Sequence, residues 1–347
     1  MTRFLRPSIR AMAGYTPGEQ PREEGIIKLN TNENPYPPSP RVTEAIEAYL
    51  RQGSLRKYPD PVGGHFRQVA GRVLDVDPDA ILIGNGSDDI LTILTRAFVS
   101  EGGLIASPTP SYLLYRTLAE IQGARFQTVP FTADWRLPSP WPIENASLTF
   151  VANPNSPSGT VVPTDTLARF AEELDGPLIV DEAYVDFAET NALPLARKGQ
   201  AIVTRTLSKS YSLAGLRFGY AVATPDIVHE LVKVKDSYNC DTLSLVGAAA
   251  ALEDQDYMRQ TRDKILATRR RLQDRLPALG FAIEPSQANF VWSRRGDRPV
   301  KPIYEELKKR NILVRYMDYG AQGNGLRISV GTDAEIDRLL EELARIV

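Results

Sequence analysis

The sequence predicts an α/β protein in two parts. A large domain is expected to hold a mostly parallel, mixed sheet sandwiched by helices, and a smaller α+β domain follows at the C-terminal end. Three observations carry this. Short runs apolar on both faces recur at 80–83, 103–106, 147–151, 177–180, 201–204 and 218–222. Such strands must be covered on both faces, as in a parallel sheet under two helical layers. Helical patterns at 87–99, 111–122 and 164–174 separate several of these runs, which supplies the alternation such a sheet needs. After about residue 240 the texture changes. A long helical region, 243–277, is broken near Glu253-Asp254, and strand-like segments follow at 281–283, 289–292, 312–315 and 326–330, with helices near 301–310 and 333–345.

Residues 1–30 form an arm rich in Pro, Gly and charge, and 31–40 contain four prolines, which argues against regular structure there. A helix is expected from Thr43, its N-cap, to Arg51, with Val42, Ile46, Tyr49 and Leu50 on one face. Thr332 is placed to cap the last helix. The expected division is therefore an arm at 1–30, a large domain at 31–240 and a small domain at 241–347. No internal repeat stands out.

Composition removes several function classes. The 347 residues are 42% hydrophobic and 24% charged, with a net charge of −2. Neither nucleic acid nor an anionic membrane surface is an expected partner. No apolar run approaches the roughly 18 residues of a membrane span, and no apolar stretch follows the first residues, so no secretory signal is expected. The single cysteine, Cys240, excludes an internal disulfide, and a cytoplasmic location is expected. With only His65 and His229 available, in no ligand spacing, no metal site is expected, and a Ser-His-Asp hydrolase is a poor fit.

What remains is a series of motifs at the ends of the expected strands. Lys209 lies between Ser208 and Ser210, with Arg217 in Gly215-Leu216-Arg217-Phe218-Gly219 eight residues on. A lysine amine flanked by hydroxyls and followed by a guanidinium suits pyridoxal phosphate: the amine condenses with the aldehyde, and the hydroxyl and guanidinium hold the phosphate. Asp181, ending the run 177–180, can keep a pyridine nitrogen protonated, and Tyr184 follows three residues later. Asn155 lies in the dense turn Asn153-Pro154-Asn155-Ser156-Pro157-Ser158-Gly159. Tyr112, in Pro110-Ser111-Tyr112, can lay its ring on a planar cofactor.

The segment Asn85-Gly86-Ser87-Asp88-Asp89 opens a helix, where backbone N–H groups and the close approach allowed by Gly86 make an anion site. Asp89 replaces the third glycine that a dinucleotide fingerprint would need. Two carboxylates beside a phosphate repel it unless they point away or meet a cation. Taken singly, each motif also has a bland explanation: a core tyrosine, a rigid turn, a strand-end acid, a solvated lysine.

As an ordered set these motifs resemble those of the fold-type-I pyridoxal-phosphate aminotransferases, and more narrowly the histidinol-phosphate aminotransferases. Further matching segments are Leu29 to Pro35, Arg56-Lys57-Tyr58-Pro59-Asp60, Tyr238-Asn239, Ala288 to Val291 and Leu326 to Thr332, so the likeness spans about residue 15 to the end. The resemblance implies that Lys209 carries the cofactor and shuttles the proton, with Asp181 on the ring nitrogen. It places Asn155 and Tyr184 on the phenolate oxygen, Tyr112 on the ring, and Gly86, Ser87, Asp88, Ser208 and Arg217 around the phosphate. Tyr58 would reach the partner subunit's cofactor phosphate, implying a homodimer with shared active sites. Arg327, with Arg315, would bind the anionic end of the substrate, and Tyr15 and Asn239 would complete its pocket.

The implied reaction is transamination of L-histidinol phosphate with 2-oxoglutarate, giving imidazole-acetol phosphate and L-glutamate in histidine biosynthesis. An aromatic aminotransferase and a threonine-phosphate decarboxylase share the architecture, and a non-catalytic binding protein on the same fold is a third class. The chain departs from the family pattern at Asp89, where Glu is usual, at Ser156 and Ser158, where Asn and Thr are common, and at Cys240-Asp241.

Overall fold

A computed structural model describes residues 1–21, 25–320 and 323–347. Residues 22–24, part of the expected arm, and 321–322 lie outside the described residues. In chain order the strands are β1 (Ile27–Leu29), β2 (Ile81–Gly84), β3 (Leu104–Thr109), β4 (Arg125–Pro130), β5 (Leu148–Ala152), β6 (Leu178–Asp181), β7 (Ile202–Thr206), β8 (Gly219–Val222), β9 (Ala282–Ile283), β10 (Phe290–Arg294), β11 (Ile312–Asp318) and β12 (Asn324–Ser329). The helices are α1 (Pro7–Ala11), α2 (Pro40–Arg51), α3 (Gly64–Leu74), α4 (Ser87–Phe98), α5 (Leu114–Gln122), α6 (Thr164–Glu172), α7 (Leu193–Arg197), α8 (Pro225–Val232), α9 (Thr242–Glu253), α10 (Gln255–Ala278), α11 (Lys301–Lys309) and α12 (Asp333–Ile346).

Seven strands form the first sheet in the order β2-β8-β7-β6-β5-β3-β4. Every neighbouring pair is parallel except those made by β8, which runs antiparallel to both β7 and β2. The cause is local. A parallel return needs a long crossover, usually a helix, but the connection 207–218 holds only a 3₁₀ turn at Ala214–Leu216. The chain reverses there, and that reversal carries Lys209 and Arg217. Strands β2, β5, β6, β7 and β8 are buried along their whole length, as their apolar runs predict. The edge strand β4 alternates between exposed and half-buried positions. It has no apolar run, so its sequence does not announce it.

The second sheet has the order β1-β11-β12-β10-β9. Here β1, inside the expected arm, pairs in parallel with β11 at Ile27↔Ile312 and Leu29↔Val314. Leu29 packs in the core of this sheet with Leu272, Leu276, Val291, Ile312 and Leu326. The break at Glu253-Asp254 separates α9 from α10, and Asp254 caps α10 by accepting the Tyr257 N–H. Ala248 and Leu252 of α9 pack with Val42, Phe66 and Ile83 in the first core. We propose that the junction between the two units runs along α10 rather than at 240/241, with β1 counted in the second unit.

The first long helix starts earlier than expected. Its N-cap is Ser39, not Thr43: Ser39 Oγ accepts the Arg41 N–H at 3.2 Å and Pro40 takes the first turn. Proline is compatible there because that N–H has no helical partner in any case. At the other end of the chain Thr332 and Glu335 form a reciprocal capping box on α12.

Candidate active site

The C-terminal ends of β5, β6 and β7 meet the segment 30–32 and strand β12 around a cavity of about 240 Å³. This is where ligands bind in open α/β sheets, because the connections diverge at the strand ends. Asp181, the last residue of β6, is 4% exposed and faces the cavity. Its Oδ2 accepts from the Tyr115 hydroxyl at 2.9 Å and its Oδ1 from Thr204 Oγ1 at 3.2 Å. Burial penalises the anion and pushes this carboxyl up to about 6, although the hydrogen bonds from Tyr115 and Thr204 pull the other way. Tyr115 is itself fully buried, stacked on Phe150 with centroids 4.6 Å apart.

Lys209 reaches the same cavity from the β7–β8 connection. Its Nζ donates to the Thr31 carbonyl at 3.2 Å and lies 5.8 Å from the Tyr184 ring centroid. Burial, and then the charge of Arg327, lower the amine to about 8, against the opposing pull of Glu33 and Asp88. The Asn34 amide clasps the loop from outside, donating to the carbonyls of Lys209 and Ser210, each at 3.1 Å.

The third corner is an anion cradle. Helix α4 opens at Ser87 after Gly86, whose φ is +82°. A Cβ on Gly86 would stand 2.7 Å from an Arg217 Nη, and one on Gly219 would stand 2.5 Å from the Ser87 backbone N. Both glycines thus keep the helix start open toward the guanidinium. The two acids of this turn behave as a phosphate would require. Asp88 pairs with Arg217 at 3.5 Å and accepts from the Tyr112 hydroxyl at 3.3 Å, while Asp89 turns away to the Asn85 N–H at 2.9 Å. Ser208 lines the cavity, its hydroxyl 2.9 Å from that of Thr206.

Tyr112 and Tyr15 wall the cavity edge to face, 5.9 Å between centroids. Tyr112 lies just before α5, not inside it as expected, because that helix begins at Leu114. At the mouth are Arg315 and Arg327. Arg327 donates to Ser156 Oγ at 2.9 Å and the Asn30 carbonyl at 3.2 Å, and Arg315 to the carbonyls of Thr16 and Pro17 at 3.1 and 3.3 Å. Among the described residues neither guanidinium pairs with a carboxylate.

The structure thus gathers Tyr15, Ser87, Asp88, Tyr112, Asp181, Tyr184, Ser208, Lys209, Arg217, Arg315 and Arg327 around one cavity. It sets four expected residues elsewhere. Gly86 lies behind Ser87. Asn155, 1% exposed, sits behind its neighbours Pro154 and Ser156, with its amide donating to the Pro110 carbonyl and Ser158 Oγ. It can turn a hydrogen to a ligand only by giving up one of these. Asn239 does not line this cavity: its amide donates to the Ile83 carbonyl at 3.1 Å and to Asp89 at 2.9 Å, beside the base of the cradle. Tyr58 is 80% exposed and stacked on Tyr238 at 4.5 Å, away from this cavity.

The sequence motifs give Tyr115, Thr204 and Asn32 no role. Tyr115 follows Tyr112 by three residues, a spacing that signals a shared helix side but gives no hint of the Asp181 contact.

The comparisons with known proteins agree with this geometry. Residues 24–343 match the model of the family "Aminotransferase class I and II". The chain is 50% identical to the histidinol-phosphate aminotransferase of Rhodopirellula baltica, covering 98% of this chain and 95% of the relative. The chain belongs to the class I and II aminotransferase family. This aminotransferase is also 45% identical to histidinol-phosphate aminotransferase 1 of Trichormus variabilis, over 99% of this chain and 100% of that one. It shares its fold with the crystal structure of histidinol-phosphate aminotransferase from Sinorhizobium meliloti in complex with pyridoxal-5'-phosphate. The TM-score is 0.86 at 29% identity, covering 99% and 98% of the two chains. The aminotransferase therefore has the fold-type-I architecture, and no helix among its described residues is long and apolar enough to cross a membrane.

Proposed function

We propose that this enzyme uses pyridoxal phosphate to move an amino group from L-histidinol phosphate to 2-oxoglutarate, giving imidazole-acetol phosphate and L-glutamate. The observation that carries it is the convergence of Lys209, Asp181 and the Arg217 cradle on a cavity whose mouth holds two arginines without counter-charges among the described residues. The residues fit the cofactor. Asp181 offers a buried carboxyl for a ring nitrogen, the cradle is kept open by Gly86 and Gly219, and Tyr112 walls the space between. Pyridoxal phosphate, when bound, supplies an aldehyde that takes up the substrate amine and a ring that accepts the electrons released at its α-carbon.

The protein's part follows from its side chains. Lys209 Nζ, already lowered toward neutrality, attaches the cofactor and afterwards carries the proton from the substrate α-carbon. Asp181 holds a proton on the ring nitrogen. Tyr184, and Asn155 after exchanging a bond, bind the ring oxygen. Ser87, Asp88, Ser208 and Arg217 orient the phosphate, with the first two acting through backbone N–H groups at the start of α4. Arg315 and Arg327 accept a phosphate in one half-reaction and a carboxylate in the other, because a guanidinium fork serves both anions. Tyr15 closes the pocket.

Tyr58 is exposed and does not line the cavity of its own subunit, which supports a homodimer in which it serves the partner subunit's site. Mixed dimers of Lys209→Ala and Tyr58→Ala subunits should then regain activity at one of their two sites. The single cysteine and the motif set support a cytoplasmic enzyme that acts on small molecules.

The experiment that tests the reaction is a half-reaction screen of the holoenzyme with histidinol phosphate, phenylalanine, tyrosine and threonine phosphate. Loss of the cofactor's visible band with histidinol phosphate is expected. A response to the aromatic amino acids alone, or release of CO2 without need for 2-oxoglutarate, would overturn the proposal. An unchanged spectrum in Lys209→Ala would overturn the cofactor assignment.

A further inference from the structure

We infer that Asn32 is a positioning residue that fixes the Tyr184 hydroxyl as a hydrogen-bond donor into the cavity, using an anchor on the second sheet. Asn32 is fully buried, with a left-handed φ of +57°. Asn and Asp adopt that conformation far more readily than other side chains. Its hydrogen-bonding groups are committed. The backbone N–H donates to Ser329 Oγ at 2.8 Å, and the carbonyl accepts from Asn289 Nδ2 at 3.0 Å. Ser329 Oγ donates back to Asn32 Oδ1 at 2.9 Å, and Asn32 Nδ2 donates to the Tyr184 hydroxyl oxygen at 3.0 Å.

The direction of these bonds matters. Because Oδ1 receives the Ser329 proton, the amide is locked with its NH2 toward Tyr184. A donor facing the phenol oxygen leaves the phenol's own proton to point elsewhere, and the open side is the cavity that Tyr184 lines. Ser329 stands two residues from Arg327 on β12, on the same face of the strand. The arrangement ties the polarity of Tyr184, three residues beyond the end of β6 in the first sheet, to the strand that presents a mouth arginine.

This inference rests on the proposed occupancy of the cavity by pyridoxal phosphate, with Tyr184 donating to its ring oxygen. The test is the pH at which the visible absorbance of the bound cofactor titrates, measured in holoenzyme without substrate. Asn32→Asp keeps the shape and tolerates the backbone, but it replaces the donor by an acceptor that turns the Tyr184 proton away from the cavity. The titration should move up by about one pH unit, as it should in Tyr184→Phe, because each removes a donor that stabilises the ring oxygen's anion.

The decisive comparison is Asn32→Asp in the Tyr184→Phe background. No further shift there supports the relay. The same shift as in the wild-type background means that Asn32→Asp acts only by its charge, and overturns it. Ser329→Ala, which unlocks the amide without adding charge, should give a smaller upward shift that also vanishes with Tyr184→Phe. It carries the test if Asn32→Asp does not fold, and an unmoved titration in it then refutes the relay. Loss of the borohydride-trappable band in Lys209→Ala checks the occupancy separately. A trappable band that persists without Lys209 sinks both claims, whereas a Lys209-dependent one that ignores Asn32 and Ser329 sinks only this one.

Discussion

Arg315 and Arg327 stand directly opposite each other in the antiparallel ladder of β11 and β12. Like charges in that position repel, and neither has a carboxylate partner among the described residues. An anion between them relieves the repulsion. Inorganic phosphate should therefore raise the thermal midpoint of the holoenzyme, whose Arg217 cradle is already filled, and the effect should disappear in Arg327→Gln. In steady-state assays Arg315→Gln and Arg327→Gln should each raise KM about tenfold or more, for both the amino donor and the 2-oxo acid. A variant that raised KM for only one of the two would show that the anions bind at different places.

Tyr115 has no access to a substrate, yet its hydroxyl holds the carboxyl of Asp181. Removing that bond in Tyr115→Phe takes away a donor that favours the carboxylate. The proton affinity of Asp181 then rises further, and its grip on a protonated ring nitrogen weakens. Cofactor affinity should fall about tenfold, the worth of one hydrogen bond to a charged group. Equilibrium binding of pyridoxal phosphate to the apoenzyme checks this, and an unchanged affinity would assign the Tyr115 hydroxyl to packing alone.

In the proposed role Lys209 must be neutral to attach the cofactor. With its amine at about 8, about a tenth is neutral at pH 7. The rate of cofactor capture by the apoenzyme should rise with pH through that midpoint and then level off. Arg327 is one of the charges that lower this amine. Arg327→Gln should accordingly move the midpoint upward and slow capture at pH 7. Stopped-flow absorbance across pH measures both, and a midpoint that moved downward would contradict the assignment.

Beneath the site Arg205 and Glu182 form a buried pair, with guanidinium nitrogens 2.8 Å from Glu182 Oε2. Glu182 also accepts the Ala192 N–H. Breaking such a pair strands a charge. Arg205→Met should cost about 3–5 kcal/mol in urea unfolding, and the double variant Arg205→Met/Glu182→Gln should recover part of that loss. A single variant as stable as the wild type would show that Glu182 simply takes up a proton.

How much of this was legible beforehand varied with the physical signal. The buried strands announced themselves because both faces are apolar, and the acids and glycines at their ends marked the pocket. Strand β4 did not, because an edge strand needs no apolar run. Strand β1 did not either, because three residues in a proline- and charge-rich arm carry no periodicity. Asn239 was expected in the pocket from its place in a motif, but its amide was taken by a carbonyl and a carboxylate that sequence cannot position.

By itself, the order of residues determined the fold class and singled out most of the expected side chains that line the cavity. Both are written in local pattern: apolar period, turn residues, and a lysine with hydroxyls beside it. Only the tertiary structure decided the directions of the polar groups. It turned Asp89 away and Asp88 toward Arg217, spent the amide of Asn155 on the Pro110 carbonyl and Ser158, and aimed Asn32 at Tyr184. Hydrogen bonds are directional and join residues far apart in the chain, so their polarity is settled only when the strands and loops that carry them have packed.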